Sequence, residues 1–171
     1  MNILETELKG VLEIFEEPFS DERGLIWSVF NKHLEKFFSE KNLHFSHLKF
    51  NTNKKNVLRG IHFDKYSNKL VRCISGKITQ FIIVVDKSSN LFGKYQKFNL
   101  EGGDGRSIFI PAGFGNAFVS RENNSTYCYQ LSYDGKYPDV NQQQTIHYLD
   151  PGLGIDFDVI NPILSERDKK L

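Results

Sequence analysis

Cysteine is scarce in this chain: only Cys73 and Cys128 occur in 171 residues. Two cysteines are too few for a disulfide framework. Long apolar runs are missing as well. The longest, Phe81-Ile82-Ile83-Val84-Val85, suits a buried strand and falls far short of the ~20 residues a membrane helix needs. The opening residues, Met1-Asn2-Ile3-Leu4-Glu5-Thr6-Glu7, hold neither a basic nor an apolar stretch, so nothing in them points to export. Charge of one sign is also lacking. The 22 Lys+Arg face 21 Asp+Glu, for a net charge of +1. That balance excludes nucleic-acid binding through bulk charge, and equally an acidic tail protein. There is no internal repeat and no low-complexity linker. The expectation is one soluble, cytoplasmic domain over residues 1–171, with neither nucleic acid nor membrane as partner.

Aromatic residues are plentiful, with 15 Phe and 7 Tyr, and the 39% hydrophobic fraction excludes a disordered chain. Short segments rich in β-branched and aromatic residues predict strands over 25–30, 70–74, 78–85, 95–100, 107–110 and 126–131. Turn-forming stretches separate them, including Ser75-Gly76-Lys77, Glu101-Gly102-Gly103-Asp104-Gly105 and Glu122-Asn123-Asn124-Ser125. A strand every ten residues or so predicts an all-β antiparallel sandwich or barrel. One helix is expected from Lys32 to about Lys41, with Leu34, Phe37 and Phe38 on one face and Asn31 as its cap.

The Gly-rich stretch 101–105 runs into a strand, not into a Gly-Lys-Ser/Thr helix start, and reads as a surface turn. His33, His44, His47 and His147 show no zinc-type spacing. Cys73 reads as a core residue. The segment Asn56-Val57-Leu58-Arg59-Gly60-Ile61-His62-Phe63-Asp64 is more informative, because Arg59 and His62 flank a glycine just before a strand. In that strand, period-2 geometry puts Lys69, Val71 and Cys73 on one face. An ammonium inside a barrel must be paired or used, although on the residues alone His62 and Lys69 also fit an exposed loop. Arginine is outnumbered by lysine six to sixteen, and three of the six, Arg23, Arg59 and Arg72, lie in distinctive segments. Arg suits bidentate phosphate contacts, though Asp21-Glu22-Arg23-Gly24 also reads as a solvated turn. Tyr127 and Tyr129 share a strand face, where packing is the commoner use of tyrosine.

Two stretches resemble the halves of the cupin signature. The second is Gly105, five residues, Pro111-Ala112-Gly113, two residues, Asn116. Metal-binding cupins place a histidine where Asn116 stands. In the first half, His62-Phe63-Asp64 replaces His-x-His, and Lys69 stands where a glutamate belongs. Only His62 is a full match in ligand type, so the resemblance implies the cupin double-stranded β-helix, or jelly roll, with a few short helices and no metal.

Taken in order, the motifs resemble the dTDP-4-dehydrorhamnose 3,5-epimerase family of metal-free cupins. They are Phe19-Ser20-Asp21-Glu22-Arg23-Gly24, Asn56 to Phe63, Lys69-Leu70-Val71-Arg72-Cys73 followed by Gly76, and Phe92-Gly93. They continue through Ile110-Pro111-Ala112-Gly113-Phe114, Asp150-Pro151-Gly152-Leu153-Gly154-Ile155 and Leu164-Ser165-Glu166-Arg167-Asp168. The resemblance implies an isomerase that needs no cofactor and inverts C3, C5 or both in a nucleoside-diphosphate 4-keto sugar. It assigns His62 as base, Asp168 as the carboxylate orienting it, Lys69 as the cation at the C4 oxygen and Tyr129 as acid. Arg23 and Arg59 match diphosphate contacts, and Phe19 matches the nucleotide pocket. A homodimer is the family expectation.

Departures from the family pattern fall on substrate contacts. Asn116 and Ile82 stand where the family is expected to carry a second His–Asp pair, and Ser28 stands where it has a base-contacting glutamate. His47-Leu48-Lys49-Phe50-Asn51 replaces Gln-x-Asn-x-Ser, which makes His47, Lys49, Asn51 and Asn116 candidate substrate contacts. Some relatives act on GDP-linked 4-keto-heptoses for bacterial capsules, and that substrate is the leading expectation. The alternatives are the dTDP-4-dehydro-6-deoxyglucose 3,5-epimerase of the rhamnose pathway, a C3-only epimerase, a metal-dependent cupin and a non-catalytic sugar-binding cupin.

Overall fold

The computed structural model describes residues 1–133 and 142–170. In chain order the elements are β1 (Asn2–Glu5), β2 (Leu12–Phe15), β3 (Phe19–Asp21), β4 (Gly24–Ile26), α1 (Lys32–Ser39), β5 (Phe45–Asn53) and β6 (Leu58–Phe63). Then come β7 (Ser67–Ser75), β8 (Lys77–Val84), β9 (Tyr95–Glu101), β10 (Arg106–Ile110), β11 (Phe114–Ser120), β12 (Ser125–Tyr133) and β13 (Gln144–Thr145). Among the described residues α1 is the one α-helix, where several short helices were expected.

Antiparallel pairing builds a six-stranded sheet, β1-β2-β10-β7-β12-β5, and a five-stranded sheet, β13-β6-β11-β8-β9. The sheets pack face to face as a cupin jelly roll. Alternation decides which side chains enter the space between them. On β7, Val71 and Cys73 point inward and join Ile78 and Ile82 of β8, Ile108 and Ile110 of β10, Phe118 of β11 and Tyr127 of β12. The apolar core fills one end of this space, and Lys69, on the same face of β7, reaches the other end. Leu70 points outward, where Leu34 and Phe38 of α1 cover the six-stranded sheet. The outer face of the five-stranded sheet is covered by the C-terminal segment, through Leu153 and Phe157.

Helix α1 starts where the sequence places it. Asn31 Oδ1 accepts the main-chain N–H of His33 at 3.0 Å and of Leu34 at 3.1 Å. Phe38 is fully buried and meets Phe45 and Phe109 edge-on or tilted, at centroid distances of 4.9 and 5.0 Å. Burial of that ring contributes about 2–3 kcal/mol.

The strand expected over 25–30 stops at Ile26. Beyond it the main chain turns to cover the sheet, and Ser28 O accepts from Arg72 Nη1 at 2.9 Å instead of entering a ladder. The β3–β4 hairpin is exposed along its whole length. The Gly-rich stretch after β9 is the surface turn expected of it, leading straight into β10.

Candidate active site

At the polar end of the barrel, the two sheets enclose a cavity of about 380 Å³. Its lining includes Arg59, His62, Lys69, Asn116, Tyr129 and Asp168.

Arg59 and His62 are three apart on β6, so strict alternation would send them to opposite faces. A bulge removes the conflict. His62 pairs with Asn116 of β11 and Arg59 with Phe118, three steps on one strand against two on the other. Gly60 makes this possible. Its φ is +123°, and a Cβ there would lie 2.6 Å from Asn116 O and from Ala117 Cβ. The Arg-Gly-x-His motif is thus a device for turning two side chains into one cavity.

His62 is held by the C-terminal segment. Leu58 N–H donates to Ile163 O at 3.1 Å and Ile163 N–H donates to Asn56 O at 2.9 Å, which docks that segment beside β6. Asp168, 2% exposed, then lies beneath the imidazole. His62 Nε2–H donates to Asp168 Oδ1 at 2.6 Å, and Ser165 Oγ–H donates to Oδ2 at 2.8 Å. Burial pushes the Asp168 carboxyl up, but the hydrogen bond and charge of His62, with Ser165, hold it below the usual carboxylate range. An ionised carboxylate only accepts, so Nε2 carries the hydrogen and Nδ1 keeps its lone pair. The His62 side chain is 23% exposed, which gives that lone pair access to a ligand.

The opposite sheet supplies Lys69 and Tyr129. On β12, Tyr129 registers with Val71, and Leu131 with Lys69, so both functional side chains face inward on adjacent strands. Lys69 is 3% exposed, and its Nζ lies 3.6 Å from Asp64 Oδ2. Burial pulls the ammonium below the usual lysine range, and Asp64 opposes that shift. Tyr127 lines the cavity too, but burial pushes its phenol well above the usual tyrosine range despite its bond to Asn116.

The other expected residues divide into three groups. Asn51 lines the cavity from β5, and Arg59 does so with its Nε held by Asn53 Oδ1 at 2.8 Å. His47 and Lys49 share the inward face of β5 with Asn51 but lie beyond the cavity lining; Tyr133 Oη is 2.8 Å from His47 Nδ1. Phe19 and Arg23 are not brought in. They stand on the exposed β3–β4 hairpin, where Arg23 Nη2 donates to Asp21 Oδ2 at 2.5 Å.

Asn116 on β11 and Ile82 on β8 are register partners, and Ile82 turns into the apolar core. The side chain that meets Asn116 is Gln80, two residues earlier on the same face of β8. Gln80 Nε2 donates toward Asn116 Oδ1 at 2.7 Å, Ala117 O at 2.8 Å and Phe81 O at 3.0 Å. Main-chain carbonyls only accept, so the nitrogen end of Gln80 must face them. That fixes Asn116 with its oxygen toward Gln80 and its Nδ2 turned away. An amide pair, neutral at every pH, thus fills this corner. Arg167 and Ser165 also line the cavity and were missed as lining residues. Among the described residues, no three His, Cys, Asp or Glu side chains gather as a metal site requires.

The sequence pattern of the family described as dTDP-4-dehydrorhamnose 3,5-epimerase matches residues 5–171. A dTDP-4-dehydrorhamnose 3,5-epimerase of Shigella flexneri is 32% identical over 174 residues, covering 98% of this chain and 93% of that protein. The crystal structure of a dTDP-6-deoxy-D-glucose-3,5-epimerase of Legionella pneumophila, in complex with dTDP-4-keto-L-rhamnose, superposes with a TM-score of 0.85 at 27% identity. That match covers 98% of this chain and 89% of the Legionella one. A 3'-monoepimerase of Streptomyces bikiniensis in complex with dTDP-quinovose gives a TM-score of 0.82 at 26% identity, over 95% of this chain and 83% of its own.

Proposed function

Since the chain belongs to the dTDP-4-dehydrorhamnose 3,5-epimerase family, and is therefore an isomerase, we propose that its substrate is dTDP-4-dehydro-6-deoxyglucose, inverted at C3 and C5. The GDP-linked heptose expected from the departures has less support. The family pattern and the relatives described above carry names of dTDP sugars.

One observation carries the reading. His62 and Tyr129 face one cavity from opposite sheets, with Lys69 beside Tyr129. A C4 ketone acidifies the protons on its neighbouring carbons. His62 Nδ1 takes such a proton, the C–H bond breaks, and its electron pair moves onto the C4 oxygen as an enolate. Lys69, itself buried, stabilises that charge. Tyr129 then donates its phenolic proton to the other face of the same carbon, the carbonyl re-forms, and the carbon is inverted. His62 is left protonated and Tyr129 ionised; loss of one proton to water and gain of another restores both. Asp168 keeps the imidazole in the productive tautomer and stabilises its charged form. Arg59 suits a diphosphate oxygen. The whole of residues 1–171 would form this one catalytic domain, acting as a homodimer.

Incubation with the dTDP-linked and GDP-linked 4-keto sugars in D2O tests the reading. Deuterium should enter C3 and C5 of the dTDP sugar. Exchange at C3 alone assigns a mono-epimerase. Faster exchange in the GDP sugar returns the substrate to the heptose class, and no exchange in either overturns the epimerase assignment.

A further inference from the structure

Lys69 poses a problem of charge. A lysine this buried gives up its proton unless something nearby compensates. Arg59 and Arg167 line the same cavity but are of like sign, so neither compensates it. The Asp168 carboxylate is already engaged by His62 and Ser165.

Asp64, at the turn after β6, has the geometry to compensate. It is 4% exposed. Its Oδ1 accepts the main-chain N–H of Tyr66 at 2.9 Å and of Ser67 at 2.5 Å. Its main-chain oxygen accepts Gly113 N–H at 2.7 Å. These bonds fix Asp64 by its Oδ1 and its main chain and leave Oδ2 buried with no hydrogen bond of its own. That oxygen points at Lys69 Nζ, 3.6 Å away. The separation suits an ion pair and exceeds a hydrogen bond, so Asp64 supplies charge without using up an N–H. The ammonium has three N–H groups, and its one hydrogen bond is a long one, 3.4 Å to Ser67 O.

We infer that Asp64 is a positioning residue for the epimerisation: its carboxylate keeps Lys69 cationic and holds Nζ where the enolate oxygen forms. The inference rests on the epimerase reading for its function, and on the pair alone for its charge. The titratable and charged groups facing the pair across the cavity are His62 and Arg59 on β6, Tyr127 and Tyr129 on β12, and Arg167 and Asp168 on the C-terminal segment.

Asp64→Asn is the informative variant, because an amide oxygen can still accept from Tyr66 and Ser67 and preserve the turn. The first readout needs no substrate: the pH titration of the Lys69 side-chain 13C signal, assigned by its loss in Lys69→Arg. In Asp64→Asn its midpoint should fall by about one to three pH units, and Asp64→Glu should restore part of the difference. The second readout is turnover. At neutral pH kcat should fall with the fraction of Lys69 left protonated, about tenfold for each pH unit by which the lowered midpoint lies below the assay pH, with KM little changed. The alkaline limb of kcat/KM should move to lower pH. In a Lys69→Arg background, where the cation cannot deprotonate, Asp64→Asn should leave that limb in place. An unchanged Lys69 midpoint in Asp64→Asn overturns the inference, whatever happens to stability. A wild-type protein that exchanges no sugar proton defeats the epimerase reading instead, and the titration still decides the pair.

Discussion

His62 and Tyr129 divide one task between two protons, and their variants should fail differently. His62→Asn removes the base and should cut solvent exchange by about 10²–10⁴-fold at both carbons. Tyr129→Phe leaves the base in place, so exchange should persist while inversion is lost. Proton NMR in D2O, with product configuration read from coupling constants, separates the two. Asp168 adds a pH argument. Its folded-state pKa lies below the ordinary 3.8, so its stabilising contribution is present above that value and is lost as pH falls through the lower, folded-state one. Asp168→Asn should therefore lower Tm at neutral pH and have a shrinking effect in strong acid; equal destabilisation at both pH values contradicts this. Gln80 shows what single residues conceal. It is the lone amide within the apolar run of β8, and a buried amide always needs partners. That signal was in the sequence, but alternation leaves Gln80 and Ile82 on one face; the register sets Ile82 opposite Asn116, and only the folded side-chain contact shows that Gln80 reaches it. Gln80→Leu should abolish the amide pair and free the Asn116 side chain. The expected result is a raised KM with little change in kcat, and an unchanged KM speaks against a positioning role.

At the scale of elements, the strands that propensity picked out, besides part of β4, are those rich in β-branched and aromatic residues: β7, β8, β9, β10 and β12. The strands that carry much of the site, β5, β6 and β11, were not predicted as strands. β5 alternates exposed and inward residues along its length, but its inward positions include His47, Lys49 and Asn51 where a core strand would have aliphatics. β6 contains a bulge and a Gly at positive φ, both of which erase a period-2 pattern. Function has thus displaced the signals by which strands are recognised. Helix α1 is the opposite case, legible in cap and face because it serves packing alone. Phe38→Ala should cost about 3–5 kcal/mol in urea or thermal unfolding. Because α1 covers the outer face of the six-stranded sheet, kcat of the folded fraction should stay near the wild-type value. Gly60→Ala should do the reverse: the added Cβ meets β11, splays the bulge and misplaces His62 relative to Asp168, so kcat falls far more steeply than that of Phe38→Ala.

For the whole molecule, a net charge of +1 conceals an uneven distribution. Arg59, Lys69 and Arg167 share one cavity, while most lysines lie elsewhere. A nucleoside diphosphate that binds the folded state should raise Tm, by about 2.7 kcal/mol of stability at a hundredfold excess over Kd. dTDP should do so at lower concentration than GDP. Phe19 and Arg23, carried by the exposed hairpin, are the residues whose place in the sequence motif and place in the fold agree least. The central claim is that base and acid act from opposite sheets on one carbon. Proton exchange and inversion of dTDP-4-dehydro-6-deoxyglucose in D2O, followed side by side for the wild type, His62→Asn and Tyr129→Phe, tests it most directly. Exchange with inversion, neither, and exchange without inversion are expected, in that order. Inversion retained in Tyr129→Phe, or exchange retained in His62→Asn, contradicts it.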